Sequence, residues 1–186
     1  MAEGISRMAT EAPAATDTRA CEQTVQAVYG RRSQEMFGFA RRLGLSDEDA
    51  SDAVQEVMLR LMRELARGAE IADPEAWSFR VLYRLGMDNH RLRSRIAGLT
   101  SRLASAGALR RSDDGNPERS IDTDSVWRAV DGLPARQRAV LYLRYRVDMP
   151  YERIGVALGI SPGAARGHAS TAMATLRRRL GEEPER

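Results

Sequence analysis

The strongest constraint on the fold is a helical period in residues 46–68. Ser46 precedes three acidic residues, which is typical of a helix start: the hydroxyl caps free N–H groups and the acids favour the positive end of the helix dipole. Behind this start, apolar residues recur at i, i+3, i+4 and i+7, which predicts an amphipathic helix that ends near Gly68. The apolar stripe consists of Ala50, Ala53, Val54, Val57, Met58, Leu61, Met62 and Leu65.

Similar helix signals recur along the chain, and no convincing strand pattern interrupts them. A helix is predicted over about 22–43, and Asp73-Pro74 opens another, with Asp as the cap and Pro at its first position. Four further helices are predicted to begin at Asp122 or Thr123, at Pro134, at Pro150 and at Pro162. We therefore predict an all-α fold of two small helical domains joined by a flexible linker.

Composition sets the domain boundaries. Residues 1–21 are small, polar and aperiodic, which predicts a disordered leader. The two helical domains are predicted at 22–95 and 123–181, and a stretch rich in Gly, Ser and Asp at 96–122 is predicted to be the linker. Residues 182–186 form a short tail.

Composition also excludes several classes of protein. One cysteine and two distant histidines cannot build a Cys- or His-rich metal site, so no metal and no cofactor is expected. No phosphate loop, catalytic triad or pair of buried carboxylates is present, so an enzyme is not expected and no catalytic residue is assigned. No apolar run is long enough for a membrane span or a signal peptide, so the protein is expected to be cytoplasmic.

Residues 150–180 carry the clearest local signal of function. A short helix, a turn at Gly159 and a longer helix capped by Ser161 are typical of a helix-turn-helix, whose second helix enters the DNA major groove. The segment 162–180 contains four Arg and no acid. A plain helical hairpin with a solvated basic face is the alternative.

Charge is segregated within the first domain. Residues 46–56 hold five acids and no Arg, whereas residues 91–111 hold six Arg and no acid. Because phosphates repel an acidic surface, opposite charges on one small domain indicate two partners. Ordinary solvation explains the acids of the first helical turn, but it explains Asp52, Gln55 and Glu56 less well, since they lie beyond that turn.

The helix that follows Asp73 interleaves aromatic residues with Arg. Such a pattern suits stacking on unpaired bases and pairing with phosphates. Trp77 shares a face with Val81, so a core position is the favoured interpretation for Trp77. For Tyr83, the core and the nucleic-acid surface remain equal alternatives.

These residues resemble bacterial sigma factors. The first domain is similar to conserved region 2 through DAVQEVM at 52–58, AWSFRV at 76–81 and Asp88. The second domain is similar to region 4 through LPARQR at 133–138, LRY at 143–145, YERI at 151–154 and LGISPG at 158–163. Two regions alone, joined by a short linker, resemble the extracytoplasmic-function (group four) type.

The resemblance implies a sigma factor that binds core RNA polymerase, recognises promoter DNA and initiates transcription. Asp52, Gln55 and Glu56 would dock on the clamp helices of the largest subunit, and the flap of the second-largest subunit would be a further contact. An anti-sigma protein that covers these surfaces is the third partner that the resemblance implies.

The resemblance also implies which residues face the promoter. The minus-ten surface would consist of Arg80, Tyr83, Arg84, Asp88 and Arg91. The minus-thirty-five surface would consist of Ser161, Pro162, Gly163, Arg166, His168 and Thr171.

Three of these positions depart from the family pattern. Arg84 stands where Asn is usual, and His168 and Thr171 stand where the recognition helix usually carries Arg. Because fewer fixed cations weaken phosphate binding, promoter recognition is expected to be altered or weakened. A sigma-like decoy or adaptor that does not open promoters is therefore the alternative. A helix-turn-helix repressor that never binds polymerase ranks last, because it leaves residues 46–95 unexplained.

Overall fold

The computed structural model describes residues 15–104 and 127–180, with side chains described for 18–89 and 127–180. These residues form two helical units, and no strand occurs among them, which confirms the predicted all-α fold. The first unit contains α1 (Ala15–Arg42), α2 (Asp47–Ala66) and α3 (Pro74–Ala104). The second unit contains α4 (residues 127–131), α5 (Ala135–Tyr145), α6 (Tyr151–Leu158) and α7 (Pro162–Leu180).

Side-chain caps begin three of the helices where the sequence predicts them. The Ser46 hydroxyl accepts the Asp49 N–H at 3.1 Å, and the Asp73 carboxylate accepts the Ala76 N–H at 2.9 Å. The Ser161 hydroxyl accepts the Ala164 N–H at 3.1 Å. Each bond satisfies a backbone donor that the first helical turn leaves unpaired, so the local sequence fixes where α2, α3 and α7 start.

The core of the first unit confirms the apolar stripe of α2. Six of its residues are buried, and Leu65 packs against the core from a partly buried position; the six are Ala50, Ala53, Val54, Val57, Met58 and Leu61. Phe39 of α1 and Phe79 of α3 are fully buried and meet edge to face, with ring centroids 5.5 Å apart. The quadrupoles of two aromatic rings favour this geometry.

The two units pack against each other, and their buried residues form one continuous hydrophobic cluster. Tyr142 of α5 provides the central contact, because its ring centroid lies 5.6 Å from that of Phe39 in the first unit. Its hydroxyl lies directly over Gly38, where any Cβ would overlap it. Burial raises the pKa of Tyr142 to about 12, since the phenolate would lose hydration there.

The structure corrects the predicted boundaries of the leader and the linker. Helix α1 begins at Ala15, and Cys21 is buried, so the disordered leader predicted for residues 1–21 does not reach residue 21. Helix α3 continues to Ala104, so the first part of the predicted linker 96–122 is helical. The remainder of the leader and the linker, and the tail at 182–186, lie outside the described residues. None of the described helices is long and apolar enough to cross a membrane.

Candidate functional site

The acidic surface predicted on α2 lies opposite its buried stripe. Asp52 and Gln55 are exposed, whereas Glu56 is partly buried and accepts a bond from Arg60 at 2.6 Å. An exposed pair four residues apart on a helix is weak, about 0.3–0.5 kcal/mol, so Glu56 can exchange Arg60 for another cation. The three residues predicted to dock on polymerase therefore share one accessible helix face.

This face borders a shallow cleft between α2 and α3, which sequence reasoning missed. Carboxylates of α2 line it together with small and apolar side chains; the lining residues are Leu45, Asp49, Asp52, Ala53, Glu56, Leu85 and Asn89. An apolar floor with an acidic rim fits a partner helix that carries both apolar and basic side chains. The contribution of Leu85 and Asn89 depends on how α3 packs against α2, and the spacing of either helix alone does not reveal it.

The predicted minus-ten surface on α3 is only partly accessible. Arg84 and Asp88 are exposed, and Arg80 is half-buried. The side chain of Arg91 lies outside the described residues. Arg80, Arg84 and Asp88 follow each other at four-residue intervals, so they form one row along the helix.

Tyr83 requires a correction. Its side chain is 7% exposed and belongs to the hydrophobic core, so its ring offers no stacking surface in this conformation. The reason is the helical period: Tyr83 lies four residues after Phe79, which is fully buried, and shares its face. Trp77 is partly buried against the core, as predicted.

The helix-turn-helix predicted in the second unit is present. Gly159 ends α6 in the left-handed conformation with φ at +66°, which glycine adopts without steric cost. The turn is tight enough that a Cβ at Gly155 would lie 2.7 Å from the Ile160 carbonyl oxygen. These two glycines set the angle at which α7 leaves α6.

One face of α7 is buried and the other is exposed. Its buried residues are Ala165, Ala169, Ala172 and Leu176, as the sequence predicts, but Leu180 is 42% exposed and does not continue the stripe. The predicted DNA-facing residues Arg166 and Thr171 are exposed, and His168 is half-buried. Because its buried residues are mostly alanines, α7 lies close to the rest of the unit. The opposite face of the helix is exposed to solvent.

Arg166 belongs to a cluster around Tyr151 that also contains Arg144, and sequence reasoning assigned neither Tyr151 nor Arg144 to the DNA surface. The guanidinium carbons of Arg144 and Arg166 lie 5.4 and 5.7 Å from the centroid of the Tyr151 ring. Arg166 also contacts Glu152 at 3.4 Å, in a pair whose side chains are both more than half exposed. Exposed pairs contribute at most about 1 kcal/mol, so a phosphate can replace Glu152 as the partner of Arg166.

The described residues contain no group of His, Cys, Asp and Glu arranged to hold a metal ion. What they contain is an acidic face on α2, a mixed row of charges on α3 and a basic helix-turn-helix.

Two family models match the chain. Sigma-70 region 2 matches residues 28–96, and sigma-70 region 4 matches residues 123–176. The chain is 33% identical over 132 residues to the extracytoplasmic-function sigma factor ShbA of Streptomyces griseus, covering 68% of this chain and 69% of that protein. It is 32% identical over 151 residues to SigD of Mycobacterium tuberculosis, covering 77% of this chain and 68% of that protein.

Two solved structures share the fold. The sigma factor RpoE of Bartonella quintana, solved with the anti-sigma factor NepR, superposes with a TM-score of 0.63 at 21% identity and covers 92% of this chain and 100% of that one. CnrH, solved with the cytosolic domain of CnrY, superposes with a TM-score of 0.58 at 21% identity and covers 90% of this chain and 99% of that one.

The chain therefore belongs to the extracytoplasmic-function sigma factors of RNA polymerase. Its first helical unit is region 2 and its second is region 4. Sigma factors bind DNA and initiate transcription without catalysing a reaction themselves.

Proposed function

We propose that this sigma factor docks on core RNA polymerase through the acidic face of α2 and directs it to promoters through α3 and α7. The exposure of Asp52 and Gln55 beside the cleft between α2 and α3 carries the proposal. On the family pattern, the partner is the clamp helices of the largest subunit. The flap of the second-largest subunit is proposed as the contact of region 4. All of this takes place in the cytoplasm.

The promoter surfaces follow from the same family pattern. Arg80, Arg84, Asp88 and Arg91 are proposed to face the minus-ten element. Ser161, Pro162, Gly163, Arg166, His168 and Thr171 are proposed to face the minus-thirty-five element. Because Ser161 caps α7 and Arg166 lies one turn further on, the N-terminal end of the recognition helix points at DNA, as in other helix-turn-helix proteins.

An anti-sigma protein is the proposed regulator. The fold is shared with the sigma factor RpoE, which was solved with the anti-sigma factor NepR, and with CnrH, which was solved with the cytosolic domain of CnrY. The cleft beside Asp52 is an accessible surface of mixed apolar and acidic character, which suits an amphipathic helix as well as it suits polymerase.

Reversal of charge at Asp52 tests the docking surface. Asp52→Arg places a cation where a basic partner should bind, so we expect core binding to fall roughly tenfold or more while the circular dichroism spectrum is unchanged. Glu70→Arg is the matched control, because Glu70 is equally exposed but lies outside α2. Normal core binding by Asp52→Arg would show that the docking assignment is wrong.

In vitro transcription on fragmented genomic DNA tests the function as a whole. With core polymerase plus this protein, we expect discrete RNA starts that share two upstream elements and disappear without the protein. A decoy or adaptor would give no such starts although it binds core polymerase. A repressor would bind DNA and fail to bind core polymerase.

A further inference from the structure

Glu152 of α6 is a carboxylate that the fold brings to the proposed DNA-reading helix. Helix α7 contains four Arg and no acid, yet the Glu152 carboxylate lies 3.4 Å from the Nη1 atom of Arg166. Because a carboxylate repels the phosphates of DNA, an acid at this position disfavours binding to the DNA backbone. Glu152 also lies in the first turn of α6, where an acid favours the helix dipole. A role in DNA binding therefore has to be separated from a role in helix stability.

The guanidinium of Arg166 is held on two sides. Its carbon lies 5.7 Å from the centre of the Tyr151 ring, so one face of the group lies against an aromatic surface, and one edge meets Glu152 through Nη1. Tyr151 is itself held by Arg144, whose guanidinium carbon lies 5.4 Å from the ring centre. Arg144 in turn donates from Nη1 to the Met149 carbonyl at 3.3 Å. These contacts restrict the directions in which Arg166 can point.

The same contacts leave most donors of Arg166 free. A guanidinium has five N–H donors, and among the described residues only the Nη1 atom of Arg166 meets an acceptor. The two donors that a guanine edge requires can come from the rest of the group, with the contact to Glu152 retained. Arg166 is the fifth residue of α7, and the N-terminal residues of a recognition helix are those that reach base edges. Arg166 can therefore read a base without losing Glu152.

Contact of Arg166 with a phosphate has a different effect on Glu152. The phosphate and the carboxylate attract the same cation, and the two anions repel each other when they share it. If Arg166 turns to the DNA backbone instead, the Glu152 carboxylate loses its partner and stays close to the phosphates. This cost falls on non-specific complexes, because phosphate contacts supply essentially all of their affinity.

We propose that Glu152 is a positioning residue for Arg166 and raises the specificity of minus-thirty-five recognition by weakening binding to non-specific DNA. Tyr151 fixes the plane of the guanidinium, and Glu152 fixes its direction within that plane. Specificity is a difference between two affinities, so a residue can raise it by penalising the wrong partner. The inference rests on the proposed function, since it requires Arg166 to face DNA.

Glu152→Gln in the holoenzyme, core polymerase with this sigma factor, tests the proposal. Glutamine keeps the length of the side chain and removes its charge. Filter binding is measured on a promoter recovered by in vitro transcription and on the same fragment with its minus-thirty-five segment scrambled. An exposed ion pair corresponds to about two- to fivefold in affinity, so binding to scrambled DNA should tighten by that factor while promoter binding changes by less than about twofold. The ratio of the two affinities should fall accordingly.

Two further variants separate positioning from general effects of charge. Glu64→Gln removes an equal charge from another exposed ion pair, formed with Arg67 at 3.1 Å in region 2, and should leave the ratio unchanged. Glu152→Gln combined with Arg166→Ala should give the same ratio as Arg166→Ala alone, because Glu152 acts through that guanidinium. The Tm of each variant measures the contribution to helix stability, which does not change the ratio.

The outcomes distinguish failure of this inference from failure of the proposed function. If the parent holoenzyme prefers its promoter and Glu152→Gln leaves the ratio unchanged, the inference is overturned alone, and a lower Tm would assign Glu152 to helix stability. A ratio that falls equally with and without Arg166 also overturns it, because Glu152 then acts on DNA directly. A parent holoenzyme that yields no promoter, or that binds promoter and scrambled DNA equally, overturns the proposed function and the inference with it.

Discussion

At the scale of single residues, the partners of each arginine determine whether its guanidinium stabilises the fold or remains available to bind another molecule. Arg153 of α6 binds the partly buried carboxylates of Asp73 and Glu75, so it stabilises the fold. Among the described residues, Arg166 contacts the exposed Glu152 carboxylate and the face of the Tyr151 ring, so its guanidinium remains available to another partner. The same residue type therefore provides a structural contact in α6 and an available cation in α7.

Arg166 gives the prediction at this scale. Truncation by Arg166→Ala should weaken binding of the holoenzyme to its promoter by about 1–3 kcal/mol if the residue reads a base. If it contacts only a phosphate, binding should weaken equally on all sequences and the salt slope should fall by about one. Filter binding across a range of salt concentrations on promoter and unrelated DNA distinguishes the two.

Arg67→Ala is the control for Arg166→Ala. Arg67 is also exposed and also paired with a nearby Glu, but it ends α2, away from the helix-turn-helix. Promoter affinity that is the same in Arg166→Ala and Arg67→Ala would exclude Arg166 from the DNA interface.

At the scale of elements, glycines have opposite roles in the two helices of the helix-turn-helix. Gly155 of α6 is buried where the turn passes, and it permits the close approach of the Ile160 carbonyl. Gly167 lies on the exposed face of α7 with nothing near its missing Cβ. The first glycine is required by packing. The second lowers helix stability relative to alanine, and among the described residues no atom lies close enough to its Cβ position to require a glycine there.

The two glycines therefore give a paired prediction. Gly167→Ala should stabilise the protein by about 1 kcal/mol and raise Tm by roughly 2–4 °C, because alanine restricts the unfolded chain and favours the helix. Gly155→Ala should lower Tm, since its Cβ would meet backbone that cannot move independently. Differential scanning calorimetry on both variants measures this, and a fall in Tm for Gly167→Ala would contradict the exposure of that face.

The elements were the most predictable part of the structure. Caps at Ser46, Asp73 and Ser161 and the apolar stripe of α2 are local patterns, so the sequence alone predicts where α2, α3 and α7 begin. The burial of Tyr83 could not be predicted from the local sequence, because an aromatic ring next to Arg residues fits both a core and a surface pattern. Its burial depends on how α3 packs against its neighbours.

At the scale of the whole molecule, the contact between the regions was not predictable. Arg153 and Asp73 are 80 positions apart, and Arg42 and Asp131 are 89 apart. The local sequence explains Asp73 as a helix cap and Arg153 as a basic residue of the helix-turn-helix. Nothing in the sequence requires that they meet, and only the packing of α6 against α3 brings them together.

The ion pairs that Arg153 forms with Asp73 and Glu75 predict how the stability of the protein depends on pH. Partial burial, the largest single effect, opposes ionisation of both carboxyls. The bonds from Arg153, with those from the Ala76 N–H to Asp73 and from Arg32 to Glu75, together outweigh burial and lower the pKa of both carboxyls below the ordinary values of 3.8 and 4.5. A depressed carboxyl pKa stabilises the folded state above the ordinary value, and this contribution is lost as the pH falls through the lowered value. The contribution of these ion pairs should therefore be constant between about pH 6 and 8 and weaken below about pH 4.

Thermal unfolding of the parent protein and of the Asp73→Asn, Glu75→Gln variant as a function of pH checks this prediction. The difference in Tm between the two proteins should be constant between about pH 6 and 8 and shrink below about pH 4, because the variant has no carboxyl to protonate at these two positions. A difference in Tm that changes near neutral pH would contradict the prediction, because Asp73, Glu75 and Arg153 keep their charges there.

The position of Trp127 has a practical consequence. Its indole lies against the Arg42 guanidinium and 5.8 Å from the Tyr142 ring, at the boundary between the two regions, and Trp77 is the only other tryptophan in the chain. When denaturant separates the two regions, water reaches this ring and its fluorescence emission should shift to longer wavelength. In a Trp77→Phe protein this shift would therefore report, without any attached label, whether the contact between the regions is lost before the helices unfold.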